Sequence, residues 1–403
     1  MKKQTLKHIF ATIAISSTLM ACGQSQVTTS SKISSESSAI ATASQSIATT
    51  EVAASTTEDD DVFTKRDKEQ TADLSEATYY TIADGQDITI TTEGIYVLSG
   101  TASEATIFIE ASDSDKVQLV LDNLNVTNTS EPVIYVKTAD KVFITTTQGS
   151  SNSLTVTSSF TTDGDTNTDA VIYSKEDLTL NGLGTLTINS SANAITSKDD
   201  LKVTGGTYNI VASAHALEAN DSINIADGIF TIDAGKDGLH CENDEDMTLG
   251  NVYIITGTFN ITSASDAIHA LATIRIDGGT YTINAREGLE ATYIQVNGGD
   301  ITINASDDGI NATTSSNAYT PTVEITGGTL TVNMGSGDTD AIDSNGDLII
   351  SGGTININAQ YAFDFDGAVT FTGGTVYVNG SQVTSITNSM MGGNMPGQMN
   401  GRH

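Results

Sequence analysis

The chain has 403 residues, 38% of them hydrophobic, no tryptophan and a formal net charge of −33. That balance excludes nucleic-acid binding, because phosphate contacts need lysine and arginine, and only Arg275, Arg286 and Arg402 follow Lys236. Self-repulsion on this scale calls for bound cations, and a divalent metal is the natural candidate.

Met1-Lys2-Lys3 and Lys7 precede an apolar stretch from Ile9 to Met20. This is a charged leader with an apolar segment too short for a permanent membrane span. Leu19-Met20-Ala21-Cys22 resembles the lipobox of bacterial lipoproteins, which implies cleavage before Cys22 and a lipid on its thiol. Residues 1–21 then form a lipoprotein signal peptide. Its loss removes Lys2, Lys3 and Lys7 and takes the charge from −33 to −36. Residues 22–77 read as the lipidated cysteine plus a disordered spacer. Residues 23–60 are mostly Ser, Thr, Ala and Gln, and Glu58-Asp59-Asp60-Asp61 carries no apolar face to bury. The expected location is extracellular, at the cell surface, held to the membrane only through the N-terminal lipid. With Cys22 acylated, Cys241 has no internal disulfide partner and reads as a small core or turn residue.

Residues 78–388 carry an internal repeat. Gly205-Gly206-Thr207-Tyr208-Asn209-Ile210 recurs as Gly278-Gly279-Thr280-Tyr281-Thr282-Ile283, Gly327-Gly328-Thr329-Leu330 and Gly373-Gly374-Thr375-Val376, among others. From Gly184 onward the equivalent glycines are spaced 22, 22, 29, 22, 20, 29, 25 and 21 residues apart. Alternation with period 2 between the glycines predicts strands, and no helical period is present. The second glycine of each pair is predicted to sit at a bend that needs positive φ or close backbone approach. Together these features predict an all-β, single-stranded, right-handed parallel β-helix of roughly a dozen coils. Stacking at about 4.8 Å would give a rod about 55–60 Å long.

Two columns are expected to face inward, one running from Leu186 through Tyr208, Phe230, Phe259 and Tyr281 to Val376, the other from Ile188 to Val378. The Thr and Asn residues between them should form an outward polar ladder. Residues 389–403, rich in Met, Gly and Asn, read as a disordered tail.

Earlier segments are more specific. Glu93-Gly94-Ile95-Tyr96-Val97-Leu98-Ser99-Gly100, Val117-Gln118-Leu119-Val120-Leu121-Asp122-Asn123-Leu124, Ile134-Tyr135-Val136, Gln148-Gly149-Ser150-Ser151-Asn152-Ser153-Leu154 and Asp177-Leu178-Thr179-Leu180-Asn181-Gly182 follow in order. In that order they resemble the bacterial carbohydrate-binding β-helix family whose members bind polygalacturonate and cellulose-like polymers and hold calcium. The resemblance covers roughly residues 78–380. It implies a non-catalytic polysaccharide binder with bound Ca2+.

A second motif, acid–Gly/Ala–Ile/Leu–polar, recurs as Asp237-Gly238-Leu239-His240, Asp266-Ala267-Ile268-His269, Glu287-Gly288-Leu289-Glu290, Asp308-Gly309-Ile310-Asn311 and Asp340-Ala341-Ile342-Asp343. Less acidic versions start at Asn193 and His215. Stacked coils would align Asp237, Asp266, Glu287, Asp308 and Asp340 in a file, neighbours repelling by roughly 3 kcal/mol at an effective dielectric of 20. Raised pKa values or an intervening cation would relieve the repulsion. Calcium suits such oxygen ligands, with Glu290 and Asp343 beside the file and Asp244 and Asp246 in the loop after Cys241. The competing explanation is that these acids are corner residues that bond their own backbone. His240 and His269 could hold a softer metal, but two imidazoles among carboxylates favour calcium.

Two rival functions remain. A calcium-dependent lyase or a polygalacturonase would need an arginine or lysine base, or two suitably spaced carboxylates. Arg286 directly precedes Glu287, and a salt bridge accounts for it. A surface spacer or adhesin, displaying a face to a protein partner, would need no glycan or metal. The favoured reading is a monomeric binder of acidic glycans or cellulose-like polymer.

Overall fold

The computed structural model describes residues 62–336 and 339–389. The signal peptide, Cys22, residues 22–61 of the spacer and residues 390–403 lie outside these.

The glycine-repeat segments form one parallel ladder. Thr185–Ser190 pairs with Thr207–Ala212, which pairs with Ile229–Ala234, and so on to Thr375–Val378. A second ladder runs from Lys141–Thr146 through Asp177–Gly182 to Val369–Phe371. Both grow from the long strand Lys116–Asn128, which pairs with Lys141–Thr146 and with Ser151–Val156, so they belong to one 24-stranded sheet. The third ladder is a 12-stranded parallel sheet from Ile88–Ile90 to Tyr361–Phe365 and carries the acidic motif. In the regular region each strand bonds to the strand three further along the chain. The fold is all-β with long parallel sheets, compatible with a solenoid. Ser381–Val383 folds back antiparallel on Thr375–Val378 and ends the first ladder.

Period-2 alternation places both predicted columns inward. Tyr208, Phe230, Phe259 and Tyr281 are fully buried and in register, with ring centroids 5.1, 4.8 and 4.7 Å apart along the stack. Ile188, Ile210, Ile232, Ile261 and Ile283 form the second column. The bends obey the predicted glycine logic. Gly279 has φ +102°, and a Cβ there would lie 2.9 Å from the Gly257 carbonyl oxygen. Tyr281 Oη donates to the Gly278 carbonyl at 2.9 Å, so the ring satisfies the bend from inside the core. Cys241 is buried, and burial pushes its thiol well above the usual range.

The spacer expected over 22–77 does not extend through 62–77. Phe63 is buried and Asp67 is fully buried. Asp67 Oδ1 pairs with Lys141 Nζ at 2.7 Å and accepts from Thr179 Oγ1 at 2.9 Å. Gln70 Oε1 accepts the Gly182 N–H at 2.9 Å, while its amide donates to the Thr204 carbonyl at 2.9 Å. Burial alone would push the Asp67 carboxyl up, but Lys141 and Thr64 hold it below its usual range. Lys141 and Thr179 of the second ladder, with Thr204 just beyond it, thus serve as docking partners for the segment preceding the repeat.

Candidate functional site

The acidic motif turns a corner into the strands of the 12-stranded sheet. Its apolar third residue points into the core: Leu239, Ile268, Leu289, Ile310 and Ile342 are fully buried. The small second residue is required by close approach of stacked corners, since a Cβ on Gly288 would lie 2.3 Å from the Gly309 carbonyl oxygen. Gly238, Gly288 and Gly309 donate their N–H groups to the carbonyls of Asp266, Asp308 and Asp340. The backbone thereby stacks the first residues of successive motifs, and Asp266 pairs with Glu287 in register.

Corner bonding and an acidic file coexist. Asp237 Oδ1 accepts the Asp266 N–H at 3.0 Å, and Asp308 Oδ1 accepts the Asp340 N–H at 3.2 Å. One oxygen of each carboxylate therefore holds the next corner. The fourth motif residues form a parallel column: Glu218, His240, His269, Glu290, Asn311, Asp343 and Asp364 are successive register partners.

Basic groups crowd the N-terminal part of this face. His215, His240 and His269 stack, with centroids 4.1 and 5.0 Å apart. Asp237 Oδ2 lies 3.1 Å from His215 Nδ1 and 2.8 Å from His240 Nδ1. Burial pushes the Asp237 carboxyl up, yet both histidines and the Asp266 N–H hold it far below its usual range. His269 Nδ1 lies 3.5 Å from both Asp266 Oδ2 and Glu290 Oε2. Burial disfavours its charge, but these two carboxylates raise its pKa to about 10. Arg286 Nη2 sits 2.5 Å from Glu287 Oε1 and 3.5 Å from Asp266 Oδ1, and Nη1 pairs with Asp307.

The C-terminal part is different. Asp343 is pushed up to about 7 by burial and by Asp308, Asp364, Asp340 and Asp366. Asp308 is raised by burial and by Asp307. Glu287, at the boundary, is raised to about 7 by burial, Glu290 and Asp266 despite Asn311 and Arg286.

Asp237, Asp266, Glu287, Glu290, Asp308, Asp340 and Asp343 all belong to this face. Among the described residues, groups of three His or acid ligand atoms within 4.8 Å of one another include Asp237, Asp266 and Glu290 of the predicted ligands, but not Glu287, Asp308, Asp340, Asp343, Asp244 or Asp246. Asp246 instead accepts from Thr248 N–H and Oγ1 at 3.0 and 2.7 Å, as a turn residue does. The reading from sequence missed His215 as a third imidazole, although the motif His215-Ala216-Leu217-Glu218 placed it in line. It also missed that Phe108, Tyr135 and Tyr173 extend the fourth-residue column towards the N-terminus. Tyr135 and Tyr173 are nonetheless buried, with Tyr135 Oη donating to Asp163 at 3.1 Å.

The family described as "Carbohydrate-binding domain-containing protein" matches residues 84–337 and 286–386, which span both the inward columns and the acidic face. The chain belongs to the carbohydrate-binding domain family. A family relative, a carbohydrate-binding domain-containing protein from Acetivibrio thermocellus, is 39% identical over 124 residues, 30% of this chain and 43% of that protein. The chain thus spans less than half the length of that relative. A solved structure of a polysaccharide lyase-like protein from C. thermocellum, a gadolinium derivative, aligns with 30% identity and a TM-score of 0.48, covering 56% of this chain and 93% of that one.

Proposed function

We propose that this family member is a non-catalytic polysaccharide-binding protein that takes acidic glycans such as polygalacturonate with the help of Ca2+. In this reading the described region is a right-handed parallel β-helix of about a dozen coils. The protein is monomeric and extracellular, attached to the membrane through a lipid on Cys22. The observation that carries the glycan reading is the crowding of Asp343 by Asp308, Asp364, Asp340 and Asp366, which together with burial pushes its carboxyl up to about 7. Calcium takes six to eight oxygens in loose geometry, and these side chains offer oxygens alone. A calcium ion there would relieve the repulsion and present open positions to the carboxylates of a glycan chain. Against catalysis stands the state of the two arginines in this half. Arg286 is clamped by Glu287, Asp266 and Asp307, and Arg275 pairs with Asp277 at 3.0 Å. An arginine held protonated by carboxylates is a poor base for elimination.

The test is native electrophoresis through gels containing polygalacturonate, with calcium or with EDTA, alongside an assay for soluble product. Retardation that EDTA abolishes, without product release, is the expected result. The Asp308→Asn, Asp343→Asn double variant should migrate through the calcium gel as wild type does with EDTA. Unchanged wild-type mobility in both gels, or release of oligosaccharide, overturns the reading.

A further inference from the structure

The histidine end of the acidic face has a chemistry that calcium does not explain. Two imidazole nitrogens and one carboxylate oxygen converge there: one ligand atom each of His215, Asp237 and His240 lie within 4.8 Å of one another, Asp237 Oδ2 being 3.1 and 2.8 Å from the two Nδ1 atoms, with the Asp237 N–H 3.4 Å from His215 Nδ1. From this geometry we infer a binding site for a divalent transition-metal ion of the zinc class, held by His215, Asp237 and His240. Nitrogen donors select against calcium, which prefers oxygen, and favour zinc, cobalt, nickel or copper. Zinc binds imidazole nitrogen at about 2.0–2.1 Å and carboxylate oxygen at about 2.0–2.2 Å. Ligand atoms around a tetrahedral ion are then about 3.4 Å apart. The observed Nδ1–Oδ2 separations of 3.1 and 2.8 Å would have to open by about 0.3 and 0.6 Å to reach that spacing.

The ligands are held from behind. Asp237 uses its other oxygen, Oδ1, to accept the Asp266 N–H at 3.0 Å, which leaves Oδ2 facing both imidazoles. His240 directs its second nitrogen, Nε2, to Glu242 Oε2 at 3.4 Å. A carboxylate on the far nitrogen is the usual outer partner of a metal-bound histidine, setting the ring's orientation and basicity. His215 precedes the strand Leu217–Ala219, whose Glu218 is the register partner of His240, and the two imidazole rings stack with centroids 4.1 Å apart. The His215 and His240 side chains are 12% and 18% exposed, so an ion can enter and water can complete its shell. His269 stacks on the other side of His240 and enters two further groups of ligand atoms, with His240 and Glu242 and with Asp266 and Glu290, so His269→Ala is the variant that separates the proposed site from these. This inference does not depend on the glycan reading.

The experiment uses the full chain, stripped with EDTA and kept in excess calcium so that oxygen-only sites are occupied. Co2+ is titrated as the spectroscopic probe and Zn2+ is followed by calorimetry. One equivalent of Co2+ should give the intense visible absorption of a four-coordinate site, and Zn2+ should displace it. His215→Ala and His240→Gln should each weaken Zn2+ binding by at least ~100-fold, Glu242→Gln by ~10-fold, and His269→Ala by little. Far-UV circular dichroism checks that each variant is folded. The His215→Ala, His240→Gln double variant subtracts any contribution from His8 and His403. Absence of high-affinity binding by the wild type, or binding unchanged in the folded double variant, overturns the inference.

Discussion

The two ends of the acidic face are built from the same motif and reach opposite electrostatic states. At the N-terminal end Asp237 sits between two imidazoles and is held well below its usual range. At the C-terminal end Asp343 occupies the column position equivalent to His240, meets other aspartates and is pushed up to about 7. Backbone geometry hardly differs between them, since both ends are parallel strands in register. What differs is the residue at one position per repeat. Long parallel sheets in register multiply such a choice, because each side chain has the same position of the next repeat as its neighbour. A single basic residue thus changes several carboxylates at once, as Arg286 does for Asp266, Glu287 and Asp307.

This comparison can be tested by removing compensation where it exists and repulsion where it does not. The largest effect is expected from Arg286→Ala. It leaves the buried Asp266 and Glu287 without their shared cation and should destabilise by about 2 kcal/mol in urea unfolding. That is below the cost of breaking a fully buried pair, because the Arg286 side chain is 44% exposed. A loss no larger than that of a surface substitution would show that the two ends are not electrostatically distinct.

Asp343→Asn should do the reverse and stabilise the metal-free chain by ~1 kcal/mol, while reducing the stabilisation produced by calcium. The same residue sets a pH dependence. Its folded pKa, about 7, lies above its ordinary value of 3.8, so the folded chain binds the extra proton between those values. Stability is then greatest below 3.8 as far as this group is concerned, and falls as pH rises to about 7. Glu287 contributes in the same direction from 4.5 to about 7. His269 adds stability that is complete below 6.5 and lost as pH climbs to about 10. In EDTA, the melting temperature of wild type should therefore fall more steeply between pH 4 and 7 than that of Asp343→Asn. Parallel curves would remove Asp343 from the account.

The smallest effect is expected from Asp246→Ala. It removes a turn bond to Thr248 on an exposed loop, should cost about 0.5 kcal/mol, and should leave calcium-dependent stabilisation unchanged. A loss of calcium response would return the loop after Cys241 to the metal site.

Much of this molecule was written in its periodicity. The Gly-Gly-Thr spacing and the alternation after it fixed which side chains face inward, from Leu186 to Val376. Burial of alternate apolar residues in stacked strands is a local rule applied once per repeat. The sequence also showed that Asp237, Asp266, Glu287, Asp308 and Asp340 occupy one motif position. It did not show which partners they would find. His215 looked like a weak copy of the motif until stacking placed its ring 4.1 Å from that of His240. Likewise, residues 62–77 looked like spacer because their single buried acid, Asp67, meets Lys141 and Thr179 far along the chain. Composition within a repeat decides its own fold, but contacts between side chains as far apart as Gln70 and Thr204, 134 residues along the chain, depend on which repeats lie side by side, and only the tertiary structure supplies that.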